Sequence, residues 1–294
     1  MSPAILDIRN VSLVFGGVRA LTDISLTIEQ GEITGSVRLT IGFQQGVAMM
    51  DTKKSMAGRV ALITGPSRGI GAALARHYAA SGAECVLVGR PSQAFDATVA
   101  GLRAAGHRID TLLVNLGRAV DVDQVIAHVH AQYGRLDILI GNAGINGRLE
   151  PIAAQNAAEW EDIFAINVHA NWRLIHGLDG LLRASSAGRA VFVTSGAAKM
   201  HKATWSGYAV TKAALESLVL IYAAECLGSN VKVNLLAPGP TRTEMRAQAY
   251  PNEDPMTLKP PEAIVDLFAL LSSPECQQHG ERIEADKWLA GSAK

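Results

Sequence analysis

Two side chains in the second half of the chain could carry acid–base chemistry. Tyr208 and Lys212 are four residues apart, so their side chains lie on the same face of a helix. A phenol is a poor base at neutral pH, and an adjacent ammonium group favours its ionised form. Tyr208 could therefore give a proton to a carbonyl oxygen during a reduction, or take one from an alcohol in the reverse reaction.

Two polar residues upstream could complete such a site. Ser195 follows a short apolar run, and its hydroxyl could hydrogen-bond a substrate oxygen as negative charge develops there. Asn167 is an amide in an apolar neighbourhood. Each residue also has a plainer explanation when it is taken alone. Tyr208 and Lys212 could be an exposed helix pair, Ser195 a turn serine and Asn167 a satisfied helix amide.

A glycine-rich segment further upstream is typical of a loop that binds phosphate. Residues 64–71 read Thr-Gly-Pro-Ser-Arg-Gly-Ile-Gly, and they follow directly on an apolar run that begins at Val60. Glycine permits a tight turn and lets backbone N–H groups approach a phosphate at the positive end of a helix. The segment by itself could equally be an ordinary turn between a strand and a helix.

These residues need a sheet to hold them, and the chain beyond Arg59 has the pattern of one. Short apolar runs alternate with segments of helical spacing, which predicts an α/β fold: a doubly wound, Rossmann-like parallel sheet with helices on both faces. The predicted strands are Val60–Thr64, Cys85–Val88, Thr111–Asn115, Leu136–Gly141, Ala190–Thr194, Val231–Ala237 and Arg282–Ala285. We expect one such domain over residues 57–294, with its site at the carboxyl edge of the sheet.

The motifs as a set resemble the short-chain dehydrogenase/reductase family, in the family's order, from about residue 58 to residue 288. They are the T-G-x-x-x-G-x-G spacing of residues 64–71, Asn142-Ala143-Gly144, Asn167, Ser195, Tyr208 with Lys212, and Pro238-Gly239. The resemblance implies an NAD(P)(H)-dependent oxidoreductase that acts on a ketone or secondary alcohol. It also implies a catalytic tetrad of Asn167, Ser195, Tyr208 and Lys212, with Asn167 at a kink in its helix.

The same resemblance, together with the loop chemistry, predicts the residues that bind the cofactor. They are Gly65, Ser67, Arg68, Gly69, Ile70, Gly71, Arg90, Asn115, Asn142, Ala143, Gly144, Tyr208, Lys212, Pro238, Gly239 and Thr241. The second predicted strand ends in Gly89-Arg90, where an acidic side chain would disfavour a 2′-phosphate. Arg90 and Arg68 can pair with that phosphate, so we expect NADP(H), with NAD(H) as the alternative. Both arginines could also be solvated surface charges.

The substrate is less closely defined than the reaction. In this family the segment after the sixth strand selects it, here residues 241–261, and Trp205, Met245 and Tyr250 would edge a pocket for a moderately apolar ketone or 3-oxoacyl compound. The NADPH-dependent reduction of such a compound is the leading hypothesis. The alternative is a sensor or scaffold that binds the dinucleotide without turnover, although such a protein would not need the acid–base residues.

Composition narrows the class of protein. The 294 residues include 27 basic and 27 acidic side chains, which gives no reason to expect a nucleic-acid partner or an acidic membrane. We expect no membrane insertion, because the chain contains no uninterrupted apolar run of about 18 residues. Three widely spaced cysteines suggest a reducing cytoplasm, and the histidines lack metal-ligand spacing, so we expect no metal. The apolar helices around Asn167 and Tyr208 suggest a homo-oligomer, most simply a dimer.

Residues 1–56 differ from the rest and are interpreted as a partly disordered extension. Apolar residues alternate in Ile5–Val14 and Ile24–Ile28. With the run Phe15-Gly16-Gly17-Val18-Arg19-Ala20-Leu21 followed by Gly31-Glu32-Ile33, residues 4–33 resemble the first strands of an ABC-transporter ATPase. A phosphate-binding G-x-x-x-x-G-K-[ST] loop, which ATP hydrolysis requires, occurs nowhere in the chain. We therefore expect no ATPase activity. We expect an extension, a fusion scar or a misplaced start, with Met49, Met50 and Met56 as the candidate starts.

Overall fold

The protein is described by a computed structural model that covers residues 4–15, 18–29 and 56–292. The chain divides into two compact units, Met1–Ala48 and Met49–Lys294. In the first unit, β1 (Ala4–Phe15) and β2 (Val18–Glu29) pair in antiparallel register. The alternation of apolar residues indicated strands here. Apart from Met56, the rest of the predicted, partly disordered extension lies outside the described residues.

The second unit is built on a parallel sheet of seven strands. These are β3 (Val60–Thr64), β4 (Glu84–Gly89), β5 (Ile109–Leu113), β6 (Ile138–Gly141), β7 (Arg189–Val193), β8 (Lys232–Ala237) and β9 (Arg282–Glu284). Their order in the sheet is β5-β4-β3-β6-β7-β8-β9, and each neighbouring pair is parallel. The predicted Rossmann-like fold is confirmed: β3 has the predicted bounds, and the ends of the other strands differ from the sequence-based bounds by at most two residues.

Helices cover both faces of this sheet. They are α1 (Gly69–Ala80), α2 (Gln93–Ala104), α3 (Ala119–Gln132), α4 (Ala157–Phe164), α5 (Ala170–Ala184), α6 (Ala197–Met200), α7 (Ser206–Glu225), α8 (Glu244–Ala249), α9 (Val265–Ser272) and α10 (Ala285–Ser292). One apolar core lies between the sheet and α3, α5 and α7, and the other lies between the sheet and α1, α2 and α9. Within the described ranges, no helix is long and apolar enough to cross a membrane.

The strand order creates a crevice at one point of the sheet. The chain runs outward from β3 through β4 to β5, then returns to place β6 on the other side of β3. The loops that follow β3 and β6 therefore diverge at the carboxyl edge of two neighbouring strands. Doubly wound sheets bind ligands at such a switch point. All five residues of β3 and all four of β6 are buried, and these strands contribute apolar side chains to both cores.

Candidate active site

The predicted cofactor residues all lie at the carboxyl edge of the sheet. They come from the β3–α1 turn (Gly65, Ser67, Arg68, Gly69, Ile70 and Gly71), the segments after β4 (Arg90), β5 (Asn115), β6 (Asn142, Ala143 and Gly144) and β8 (Pro238, Gly239 and Thr241), and α7 (Tyr208 and Lys212). The fold therefore brings together groups that are far apart in the sequence.

The turn between β3 and α1 is compact, and its glycines are needed for that. Gly65 has a φ of +68°, a conformation that side-chain-bearing residues rarely adopt. A Cβ atom on Gly71 would lie 2.0 Å from the Gly65 carbonyl oxygen and 2.6 Å from Asn142 Nδ2. Helix α1 can therefore start directly against the turn only because Gly71 has no side chain.

Thr64 and Asn142 join this turn to the neighbouring strand. The Thr64 hydroxyl accepts hydrogen bonds from the backbone N–H groups of Asn142 and Ala143, each at 3.0 Å. In return, Asn142 Nδ2 donates to the carbonyl oxygens of Thr64 at 2.9 Å and Gly65 at 3.2 Å. The sequence analysis placed Thr64 directly before the first glycine of the loop, but it did not predict a role for the Thr64 hydroxyl.

The start of α1 fits a phosphate group. The first N–H groups of a helix have no partner within the helix, and the helix dipole makes this end positive. Arg68 forms the N-cap without a side-chain cap hydrogen bond, and the first turn of Gly69–Ala80 carries no acid. The bare glycine turn leaves room for backbone approach, so these residues fit the pyrophosphate of a dinucleotide.

At the outer end of the crevice the predicted residues are exposed. Arg90 follows β4 and is exposed to solvent, while Arg68 forms an ion pair with Glu244 of α8. Asn115 lies beyond the end of β5, and its Oδ1 accepts a hydrogen bond from Gly117 N at 3.0 Å. We term Arg68, Arg90 and Asn115 the adenosine end, because the two arginines were predicted to pair with the 2′-phosphate and the family resemblance implies that Asn115 touches the adenine.

Asn167 sits in a π-helical turn between α4 and α5 that covers Ala165–His169. Its side chain is fully buried: Oδ1 accepts from Ile145 N at 2.9 Å, and Nδ2 donates to Ile145 O and to Thr211 Oγ1, each at 3.0 Å. The wider turn thus directs an amide toward the loop after β6. The π turn interrupts the helical spacing of this segment at the point where the family resemblance implied a kink.

Gly144 lies where this amide and the lysine of α7 meet. A Cβ atom on Gly144 would be 3.2 Å from Asn167 Oδ1 and 3.4 Å from Lys212 Nζ. The two side chains therefore border the same point of the chain, although they are separated by 45 positions in the sequence. The absent side chain of Gly144 leaves the space between them clear.

Lys212 is a buried cation. Its side chain is only 3% exposed, and Nζ donates to the Val193 carbonyl oxygen at 2.8 Å. Burial lowers the pKa of Lys212 from 10.5 to about 8, and the negative charge of Glu216 opposes that shift. Nζ lies 5.8 Å from the centre of the Tyr208 ring, as the four-residue spacing predicted.

Tyr208 is also buried, and burial shifts its pKa. The lysine was expected to favour the phenolate, but burial raises the pKa of Tyr208, and a side-chain hydrogen bond with Ser195 opposes this only in part. Desolvation disfavours the charged form of the phenol. In the chain by itself Tyr208 is therefore a protonated group, which is the form that can donate a proton to a carbonyl oxygen.

The segment that carries Ser195 is tied to two residues that sequence reasoning missed. Thr194 Oγ1 donates to Glu216 Oε1 at 2.7 Å, and Arg282 Nη2 donates to the Ser195 carbonyl oxygen at 3.1 Å. Glu216 stands four residues after Lys212, so helical spacing alone could have identified it. Arg282 had no such signal, because it reaches the site from the last strand.

The segment after β8 is held by another acid that was not predicted. Gly239 has a φ of +69°, and a Cβ there would lie 2.0 Å from an oxygen of Asp286. Asp286 pairs with Lys259, whose Nζ also donates to Pro240 O at 2.8 Å. Thr241 is buried and donates to Gly239 O at 3.2 Å.

An aromatic surface adjoins Tyr208 on the side of the predicted substrate segment. The Trp205 ring lies 5.9 Å from the Tyr208 ring and 5.6 Å from the Tyr250 ring, between ring centres. Lys202 Nζ lies 4.8 Å from the centre of the Tyr250 ring. Met245, also predicted at this edge, accepts a hydrogen bond on its carbonyl oxygen from Asn146 Nδ2 at 3.0 Å.

Comparison with known proteins agrees with this geometry. The family model of short chain dehydrogenases matches residues 59–254. The chain is 35% identical to the oxidoreductase YciK of Escherichia coli K12 over 216 residues, which cover 72% of this chain and 85% of that protein. A solved short chain dehydrogenase from Escherichia coli CFT073, complexed with NADPH, is 32% identical with a TM-score of 0.75 and covers 79% of this chain and 98% of its own.

Another similar structure is a short chain dehydrogenase from Shigella flexneri complexed with NADP. It is 33% identical, has a TM-score of 0.76, and the match covers 80% of this chain and 99% of that one. The family match begins at residue 59, and these comparisons give no support to the resemblance of residues 4–33 to a transporter ATPase.

Proposed function

The chain belongs to the short chain dehydrogenase family, and on that premise we propose that it reduces a ketone or 3-oxoacyl compound to a secondary alcohol with NADPH. It is an oxidoreductase of the kind that acts on CH–OH or carbonyl groups. The observation that carries the proposal is the buried cluster of Asn167, Lys212 and Tyr208, in which the first two side chains border Gly144. Fixed polar groups in a site with little water favour proton transfer.

In the proposed reaction, Tyr208, Ser195 and Lys212 would each have a separate role. NADPH, when bound, supplies the hydride that reduces the carbonyl carbon. Tyr208 donates its phenolic proton to the carbonyl oxygen, and Ser195, which shares a hydrogen bond with it, steadies that oxygen as charge develops. Lys212 keeps a positive charge beside the phenolate that remains, which lowers the free-energy cost of ionising Tyr208.

The cofactor would lie along the crevice from α1 to α7. The glycine turn and the N-terminus of α1 would hold the pyrophosphate, and the segment from Pro238 to Thr241 would border the nicotinamide. Preference for NADPH over NADH is supported by Arg90 and Arg68, and by the related structures that carry NADPH and NADP.

The class of substrate is supported by the aromatic surface beside Tyr208. Trp205 and Tyr250 offer flat apolar contact next to the group that donates the proton. Such a surface suits the hydrocarbon part of a ketone or of an acyl chain. The proposed substrate class therefore depends on Trp205 and Tyr250, and not on the groups that transfer the proton.

The test is a binding and turnover experiment on the purified chain. NADPH and NADH are titrated by fluorescence, and a panel of ketones and 3-oxoacyl thioesters is then screened by the loss of NADPH absorbance. We expect tighter binding of NADPH and turnover of at least one apolar carbonyl compound. Binding without turnover would favour the sensor or scaffold instead, and no binding of either dinucleotide would refute the cofactor.

We also propose a cytoplasmic homodimer. Large apolar side chains on α5 and α7 face solvent, with Trp172 47% and Ile221 57% exposed, and exposed apolar patches commonly mark contacts between proteins. The three cysteines are free and buried, as suits a reducing compartment. Light scattering would measure the dimer, and Ile221→Lys is expected to shift it toward monomer.

A further inference from the structure

A buried ion pair lies behind the catalytic groups and joins the last strand to α7. Arg282 Nε and Glu216 Oε1 are 2.5 Å apart, and the two side chains are only 9% and 12% exposed. Arg282 also pairs with Glu284 on the same strand. Buried ion pairs recover their desolvation cost only with good geometry and further hydrogen bonds, and they are weak evidence for stability alone. A role at the site therefore has to be considered.

The further hydrogen bonds of this pair lead directly to the predicted catalytic residues. Glu216 accepts the Thr194 hydroxyl at 2.7 Å, and Arg282 donates to the carbonyl oxygen of Ser195 at 3.1 Å. Glu216 stands one helical turn after Lys212 on the same helix. The pair thus connects the strand end that carries Ser195 with the helix that carries Tyr208 and Lys212.

We propose that Glu216 and Arg282 are positioning residues, which hold Ser195 and Lys212 in the arrangement needed for proton transfer. The inference rests on the proposed function of the same site. Neither residue has to touch substrate or cofactor. Small displacements of reacting groups reduce rates steeply, so loss of either residue is expected to lower kcat by about tenfold to a hundredfold.

The pair also sets the charge around Lys212. The groups that face the ammonium are the Tyr208 phenol and Glu216 from α7, the Val193 carbonyl oxygen from β7, and Asn167 with Gly144 from the opposite side. Glu216 carries the only carboxyl group among these groups, and Arg282 pairs with it. Removing the acid should therefore lower the pKa of Lys212 below about 8, and removing the arginine should raise it.

Because loss of Glu216 and loss of Arg282 should shift the pKa of Lys212 in opposite directions, a pH profile can distinguish a positioning role from structural support alone. Glu216→Gln, Arg282→Gln and the double variant are compared by kcat, KM and NADPH affinity as functions of pH. We expect kcat to fall in each single variant, with KM and NADPH affinity within about twofold. The alkaline limb of kcat should move to lower pH in Glu216→Gln, to higher pH in Arg282→Gln, and back toward its original position in the double variant.

Arg135→Gln provides a control that also removes an arginine from an ion pair with a buried acid. Arg135 pairs with Asp137, a buried acid that directly precedes β6. This pair lies at the amino ends of the strands, whereas the site lies at their carboxyl ends. Its loss should lower the melting temperature without moving the pH profile. Arg282→Lys should recover part of the lost kcat, because it restores the charge. Shifts of the alkaline limb in the same direction in both single variants, or none in either, would overturn the proposal.

A second readout needs no turnover, so it remains valid if no carbonyl substrate is reduced. Urea unfolding is measured between pH 7 and pH 10 for each single variant, with and without Lys212→Met. The difference between the two curves reports the titration of Lys212. Opposite shifts in Glu216→Gln and Arg282→Gln would support the charge coupling even if the proposed reaction failed, and equal curves would refute it.

Discussion

The catalytic end and the adenosine end of the site are built in opposite ways. At the catalytic end, Asn167, Tyr208 and Lys212 are 0%, 7% and 3% exposed, and their polar groups are hydrogen-bonded within the protein. At the adenosine end, Arg68 has a side chain that is 60% exposed, and Arg90 is exposed as well. One end is fixed in the core, whereas the other is a set of charges in water.

The two ends differ in exposure because proton transfer and phosphate recognition have different physical requirements. Proton transfer needs groups held in place where water cannot screen them, and burial provides both conditions. Recognition of a phosphate needs only positive charge within reach, and exposed charges contribute about 1 kcal/mol or less each. Substitutions at the catalytic end should therefore change rates and stability strongly, whereas those at the adenosine end should adjust affinity.

The largest effect is expected from Tyr208→Phe. The ring still fills its buried space beside Trp205, but the proton donor is lost, so kcat should fall by about 10²–10⁴. NADPH affinity, measured by fluorescence, should stay within about twofold of the original. Tyr133→Phe, which removes a phenol from the edge of the sheet, is the control and should keep full turnover. Similar activity in the two variants would refute Tyr208 as the acid.

Lys212→Met should separate activity from stability. Burial lowers the pKa of Lys212 to about 8 from 10.5, so the unfolded chain binds the proton more tightly, at a cost of about 3 kcal/mol at neutral pH. That cost fades as the pH rises from about 8 to 10.5. The variant should lose turnover and should unfold at a higher urea concentration at pH 7. Its free energy of unfolding should also lack the increase that deprotonation of Lys212 gives the original chain as the pH rises.

Urea unfolding at pH 7 and pH 9.5 checks the lysine prediction. The exposed Lys199 supplies the control, since Lys199→Met should leave both curves unchanged. If Lys212→Met were no more stable at pH 7 than the original chain, burial of the ammonium would not carry the expected cost. The catalytic end and the adenosine end would then not differ in the free-energy cost of holding their charged groups.

Gly71→Ala tests the turn that lies between the two ends. The added methyl group would meet the Gly65 carbonyl oxygen at 2.0 Å, so we expect a loss of about 1–3 kcal/mol in stability and weaker NADPH binding. Gly101→Ala in α2 is the matched control, because nothing lies within 4 Å of its added Cβ. It should gain about 0.5–1 kcal/mol. Thermal unfolding of both variants would show whether the turn tolerates a side chain.

The smallest effect is expected at the adenosine end. Arg90→Gln should weaken NADPH binding by about threefold to tenfold and leave NADH unchanged, because only the 2′-phosphate is affected. Glu244→Gln should slightly strengthen NADPH binding, because it frees Arg68 from its ion pair. Fluorescence titration at low and high salt measures both variants. An equal loss for NADH would contradict a role in phosphate recognition.

Much of the fold could be predicted from the sequence because its signals are local. The strands are continuous apolar runs covered on both faces, and the glycines stand where the turn after β3 requires them. Less local features were missed. Strand β5 ends at Leu113 and not at Asn115, because the Asn115 side chain closes a turn with Gly117 N. Apolar periodicity could not show the π turn around Asn167, since one wide turn hardly changes the spacing.

The ionisation of Tyr208 also depended on the environment that only the fold creates. Spacing on α7 placed an ammonium beside the phenol, and that part was read directly from the sequence. The degree of burial was not, and burial outweighs the opposing hydrogen bond from Ser195. Residue types and their spacing identify a pair, but the free energy of its charged states depends on solvent exclusion.

The sequence by itself determined the succession of strands and helices, the glycine turn and the spacing of Tyr208 and Lys212, because each depends on near neighbours along the chain. Only the tertiary structure decided which distant groups meet. Arg282 reaches Glu216 across 66 positions and Ser195 across 87, and it does so because β9 lies beside β8 at the end of the sheet. Such contacts depend on strand order, which no local pattern encodes.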